Sequence, residues 1–195
     1  QRSNEAELAY LEAIRLDPEN TEQNTNRWDN IGVGRFENKD FSGAEIASLE
    51  SLRLDPDNTH ALFNLGVALS NQGRLAEARD AYQDLVEIDP SNPAAWDALG
   101  RTVGDLGDLE QCELAFRNAA QIDSQNDRIW FHLGIALDDL GRYIEAEKAY
   151  LESIRLEPLD PTVWNNLGAC RSRQSRYIEA EEAYLETARL NPQDP

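Results

Sequence analysis

Any chemistry in this chain would have to rest on few residues. His60 and His132 are its only histidines, and so the only candidates for an imidazole metal ligand or for a general base near neutral pH. Cys112 and Cys170 are the only thiols, the residues from which a cysteine nucleophile or a disulfide could be made. Asp138-Asp139 and the Asp105…Asp108 pair offer the hard oxygen donors that calcium takes, but no EF-hand loop pattern surrounds them. Gly32-Val33-Gly34 resembles the opening of a phosphate-cradling loop and lacks both its third glycine and a preceding strand. There is no Ser/His/Asp set, no His-Glu-x-x-His and no convergent carboxylate pair on which to found an enzyme. Whether the histidines or the thiols can meet depends on the elements that carry them.

Those elements belong to a folded chain: of 195 residues, 41% are hydrophobic and 28% charged. Acidic residues outnumber basic ones 37 to 18, a net charge of −19, which repels phosphate backbones and anionic headgroups. Nucleic-acid binding is therefore disfavoured. No apolar run approaches the roughly 20 residues of a membrane-spanning helix, so insertion is not expected either. Two cysteines make no disulfide framework, and this usage leans towards a reducing, cytoplasmic compartment.

The dominant feature is a beat of 34 residues. Trp96, Trp130 and Trp164 are spaced by it, with Leu62 and Trp28 at the same phase before them. Gly32, Gly66, Gly100, Gly134 and Gly168 follow four residues later. Next come Ala44, Ala78, Cys112, Ala146 and Ala180, then Ser48, Tyr82, Phe116, Tyr150 and Tyr184, and finally Pro56, Pro90, Ser124, Pro158 and Pro192. Within one period, 59–72 carries an apolar stripe at Leu62, Leu65, Ala68 and Leu69, and 75–88 another at Leu75, Ala78, Tyr82, Leu85 and Val86. Gly73-Arg74 separates them, and Asp89-Pro90 ends the second, because proline cannot continue a helix interior. Asn92-Pro93 and Asp160-Pro161 supply an N-cap and a first-position proline, and Asn58-Thr59 and Asn126-Asp127 act similarly.

These residues resemble the tetratricopeptide repeat, a 34-residue helix–turn–helix marked by W-x2-L-G, a later small residue, an aromatic and a closing proline. Residues 130–158 fit it nearly position for position. The resemblance implies an all-α TPR-type solenoid of antiparallel helix pairs stacked in a right-handed superhelix. It spans the chain as one solenoid: a half repeat at 1–18, a loop insertion at 19–24, and repeats at 25–58, 59–92, 93–126, 127–160 and 161–194. In that register the tryptophans read as one packing residue per repeat. Cys112 and Cys170 fall in slots held elsewhere by alanine and lie two repeats apart, as do His60 and His132. Neither pair can meet, so no disulfide, shared metal, cofactor or catalytic site is expected.

In proteins of this family the first helix of each pair lines a concave groove. The groove residues expected to contact a peptide are Asn30, Val33, His60, Phe63, Asn64, Val67, Asp97, Arg101, Arg128, Phe131, His132, Ile135, Asp138, Asn165 and Asn166. Phe63 with Val67, and Phe131 with Ile135, would be exposed apolar anchors, while Asp29 and Asp97 put acid at the equivalent place. Such a groove suits a protein or peptide with apolar anchors and basic residues. Asn30, Asn64 and Asn166 share one position, like a broken form of the asparagine ladder in O-linked N-acetylglucosamine transferases; Ala98 and His132 interrupt it. The Lys/Arg/Asn clamp of chaperone-tail binders is missing.

The expected function is a non-catalytic protein- or peptide-binding scaffold. Its rivals are the recognition arm of a larger enzyme such as a glycosyltransferase, and a self-assembling structural subunit. The first helix, about Asn4–Leu16, and the last, about Tyr177–Leu190, keep internal-repeat residues, and Asp194-Pro195 repeats the start signal of a first helix. Solenoids need polar caps. The expectation is therefore a piece of a longer array whose uncapped ends can drive homo-oligomerisation.

Overall fold

The computed structural model describes residues 2–191, with side chains from residue 5 onward; Pro192 and Asp194-Pro195 lie outside the described residues. The described residues form eleven helices and no strand, in two compact units at 1–91 and 92–195. The first unit holds α1 (Arg2–Leu16), α2 (Thr21–Glu37), α3 (Phe41–Leu54), α4 (Thr59–Asn71) and α5 (Leu75–Ile88). Here α2 pairs with α3 and α4 with α5, α1 packs on α2, and α3 packs on α4. The second holds α6 (Pro93–Asp105), α7 (Leu109–Ile122), α8 (Asp127–Asp139), α9 (Tyr143–Leu156), α10 (Pro161–Arg173) and α11 (Tyr177–Leu190). Three antiparallel pairs, α6/α7, α8/α9 and α10/α11, stack there in chain order.

Start signals act largely as their chemistry requires. Asn58 accepts from the backbone N–H groups of His60 and Ala61, Asn92 from Ala94 and Ala95, and Asp160 from Thr162. Asn126 occupies the N-cap position of α8 without a side-chain cap bond. The loop expected at 19–24 is not one. Asn20 caps a helix that begins at Thr21, and the inserted residues lengthen α2 to 17 residues. Polar side chains hold this extra turn: buried Asn24 donates to the carbonyls of Asp17 and Pro18, and the Thr25 hydroxyl to that of Thr21.

The repeating glycine and aromatic are one device. A Cβ on Gly66 would lie 2.5 Å from the Tyr82 ring, on Gly134 2.5 Å from Tyr150, and on Gly100 3.0 Å from Phe116. Each first helix thus lets the ring of its own second helix lie against bare backbone. Gly32 faces Ser48 instead, and its nearest neighbour would be the Ala47 Cβ at 3.6 Å. The tryptophans are half-buried, and Trp130 and Trp164 donate their indole N–H to the carbonyls of Ser124 and Pro158, at 3.0 Å in each case. They tie each first helix to the turn before it, which makes them structural. Cys112 and Cys170 are buried free thiols.

Arginine–glutamate contacts reinforce the stacking. Arg74 bridges Glu45 of the preceding pair and Glu77 of its own helix. In the second unit Arg142 does the same with Glu113 and Glu145. Glu147 is buried and receives Arg171, Gln174 and Arg176 together. Helix α9 packs against both α8 and α10 and buries Tyr150 completely; on α11 the matching Tyr184 is exposed, as are Ile178 and Leu185.

Candidate functional site

The first helices of each unit carry the expected contact residues, and the structure sorts these into three kinds. Some are consumed by the fold. Asp29 accepts from the Ser51 hydroxyl at 2.6 Å and from the Asn58 amide at 2.9 Å, and Asn58 in turn caps α4. Its carboxylate is therefore a clamp between α2, α3 and α4 and not a groove acid. Asp138 is buried and paired with Arg173 of the next first helix. Phe63 and Phe131 are half-buried rather than exposed, with ring centroids 5.9 Å from Tyr82 and 6.2 Å from Tyr150. They extend the core outward, because the aromatic lying on each glycine offers an edge for a second ring.

A second kind faces outward without converging. Val33 is exposed, and with Asn30 it lines a cleft against α1; His60 lines a separate one with Asn26 and Asp29. The asparagine ladder does not form. Asn30 and Asn166 donate to the carbonyls of Asn26 and Thr162 one turn back in their own helices, at 2.8 Å. The side chains of Asn64, half-buried, and Asn165, exposed, have no hydrogen-bond partner among the described residues, and Val67 is half-buried.

The third kind converges, in the second unit. Arg101, Arg128, His132 and Ile135 line one cavity of about 440 Å³ between α6, α7 and α8. Asp97 sits beside it, 3.4 Å from His132 Nδ1 and 3.7 Å from the Arg101 guanidinium. Phe116, Leu109, Cys112 and Ala136 add apolar wall, and the His132 ring lies 5.2 Å from that of Phe116. Asp105 and Asp139, which the register puts at the thirteenth, groove-facing position of successive repeats, complete the lining.

Why the cavity opens here is visible in that register. Where α8 meets α10, Asp138 fills the twelfth position and pairs with Arg173 at the thirteenth of the following repeat. Where α6 meets α8, the same two places hold Gly104 and Asp139. Glycine supplies no side chain and aspartate finds no cation, so the stack leaves a gap. A Cβ on Gly104 would lie 3.1 Å from Cys112 Sγ. Burial, helped by the charges of Asp139, Asp105 and Asp108, pushes the Cys112 thiol up to about 11, so this sulfur is no nucleophile at neutral pH. Cys170 is raised to about 11, again mainly by burial. Among the described residues no group of three or more His, Cys, Asp or Glu side chains could hold a metal ion, and no helix is long and apolar enough to cross a membrane.

Helix pairs recurring every 34 residues, with the first helices presenting the converging side chains, define an α-helical repeat protein. The chain belongs to the tetratricopeptide repeat family, whose sequence models match residues 35–101, 98–161 and 131–195. A search of curated proteins returns no match. Among solved structures, one described as MamA protein superposes with a TM-score of 0.82 at 21% identity, covering 87% of this chain and 92% of that one. A MamA fragment from Desulfovibrio magneticus RS-1 gives 0.81 at 18% identity, covering 88% and 97%. YrrB, described as a TPR protein with an unusual peptide-binding site, gives 0.85 at 17% identity, covering 95% and 94%. At these identities the likeness establishes the fold.

Proposed function

We propose that this chain is a non-catalytic scaffold that binds a protein or peptide segment on its first-helix face, with the cavity between α6 and α8 as the principal seat. The observation that carries this reading is the lining of that cavity. An apolar wall of Ile135, Phe116 and Leu109 lies under a rim whose Arg128, Asp105 and Asp139 have no side-chain partner among the described residues. Apolar walls with a few converging polar groups are what a side-chain anchor needs. The description of YrrB as peptide-binding, on a similar fold, agrees with it. The partner carries an apolar anchor for the wall and a basic residue for the acidic end.

Selection of a displayed peptide library on the full chain tests this. Enriched peptides should contain apolar and basic residues together, and Ile135→Asp should weaken them about tenfold or more, with helicity by circular dichroism unchanged. Ile135 is the better probe than Phe63 or Phe131, because truncating those rings also removes contacts with Tyr82 and Tyr150. Enrichment of acidic peptides without apolar residues, or indifference to Ile135→Asp, would overturn the reading.

A further inference from the structure

The charges around the α6–α8 cavity are arranged against the helices that bear them. Arg128 lies in the first turn of α8, where the macrodipole favours anions, and Asp139 is the last residue of the same helix, where it favours cations. Asp105 is likewise the last residue of α6. Self-pairing does not compensate this placement. Arg128 is the one arginine among the described side chains with neither a hydrogen bond nor an ion pair, whereas the others are engaged with Asp, Glu or backbone groups. Asp105 and Asp139 are exposed and unpaired as well. Three charged groups that weaken their own helices, share one cavity and find no partner among the described residues form a polarised surface. It is basic at one end and acidic at the other, with Ile135 and Phe116 in the cavity wall.

From this we infer that the cavity reads a bipolar peptide segment. An acidic residue meets Arg128, an apolar residue lies on Ile135, and an arginine or lysine reaches Asp105 and Asp139. The inference rests on the peptide-binding reading above and adds to it the order and spacing of the partner's charges. From residue 128 to residue 139 the helix rises about 16 Å at ~1.5 Å per residue. An extended chain covers that in four to five residues, at ~3.3–3.6 Å each. Matching signs at both ends give charge complementarity that a uniformly charged ligand cannot have, because one of its ends always faces its own sign.

The test uses the full chain and synthetic octapeptides of Gly and Ser around a central Leu. One carries Glu and Arg five positions apart, one Glu at both places, one Arg at both, and one Glu and Arg adjacent. Dissociation constants are measured at low and physiological salt by fluorescence anisotropy. The bipolar peptide should bind about tenfold tighter than the double-Glu and the adjacent-charge peptides. Arg128→Glu should reverse the preference towards double-Arg, and Asp105→Asn with Asp139→Asn should abolish the gain from Arg. These variants are at exposed sites, and each single neutralisation should raise the thermal midpoint, since it removes a charge that opposes the helix dipole. If peptides bind in an Ile135-dependent way but charge order and spacing change nothing, this inference fails while the peptide-binding reading stands. If Ile135→Asp has no effect on any peptide, or none binds, the reading beneath it fails too. A fall in thermal midpoint on neutralising Arg128 would show that it is a structural charge and overturn the argument.

Discussion

The glycine at each helix crossing gives the sharpest test of how this fold is packed, because five copies of one position sit in five different surroundings. In an unconstrained helix interior, alanine in place of glycine gains about 0.8–1 kcal/mol. At Gly134 the added Cβ would lie 2.5, 2.6 and 3.1 Å from Tyr150 ring atoms, and that ring is completely buried, so it has nowhere to turn. Overpacking of this kind costs roughly 1–3 kcal/mol net of relaxation. Gly134→Ala should therefore lower stability by about 1–2 kcal/mol, and Gly66→Ala, against buried Tyr82, by a similar amount. Gly100→Ala meets Phe116 at 3.0–3.1 Å and should cost less, near 1 kcal/mol or below. At Gly168 the opposing Tyr184 is exposed and can swing away, so the change should be close to neutral. Gly32→Ala meets nothing nearer than 3.6 Å and should stabilise by about 0.5–1 kcal/mol. Urea unfolding followed by circular dichroism at 222 nm gives the ranking directly from midpoint shifts. A flat series, or a stabilising Gly134→Ala, would refute the view that bare backbone against a ring sets this helix crossing.

Other outcomes follow from the same structure. Lys39 and Ser175 adopt φ of 58° and 60° at the turn position that Gly73, Gly107 and Gly141 fill, so Lys39→Gly and Ser175→Gly should each stabilise by about 0.5–1 kcal/mol in the same urea assay. Glu147→Ala leaves Arg171 and Arg176 without their buried acceptor and should cost about 3 kcal/mol, whereas Glu77→Ala, which opens an exposed pair with Arg74, should leave the urea midpoint essentially unmoved. Burial raises Cys112 and Cys170 to about 11 and raises Tyr150 as well, so the folded state retains protons that the unfolded chain has released. Their contribution is fully present below pH 9 and is lost as the pH rises towards 11; the thermal midpoint should fall across that window, and less steeply in Cys112→Ala/Cys170→Ala.

How far the sequence spoke can be judged residue by residue. Helix positions were legible because two independent signals coincide in each period: an apolar stripe and a punctuating Asn-Pro, Asp-Pro or Gly. The extra turn of α2 was not, since its stability comes from Asn20, Asn24 and Thr25, whose side chains bond to backbone, and a hydrophobic pattern is blind to them. The register also placed the groove positions, but a register says where a side chain starts and not what it meets. Asp29 and Asp97 occupy the same slot. Asp29 is captured because Ser51 and Asn58 stand beside it, and the repeat of Asp97 has Ala119 where Ser51 stood.

The same reasoning, applied to two groups of expected contact residues, gives a rule for this fold. Phe63 and Phe131 looked like anchors because large apolar residues stood on a face that solvent should reach. Each, however, has a tyrosine on its own second helix, and two rings that can touch will bury each other before they wait for a ligand. Asp138 looked like available acid, and one position further along the next repeat stands Arg173. What a solenoid can offer a partner is the remainder after neighbouring repeats have satisfied one another. Gly104 and Asp139 are such a remainder: a missing side chain and a charge without a counter-ion at the same junction. Function in this chain is therefore sought where the repeat departs from itself, and the most informative positions of the sequence are those at which the 34-residue comparison fails to find a partner.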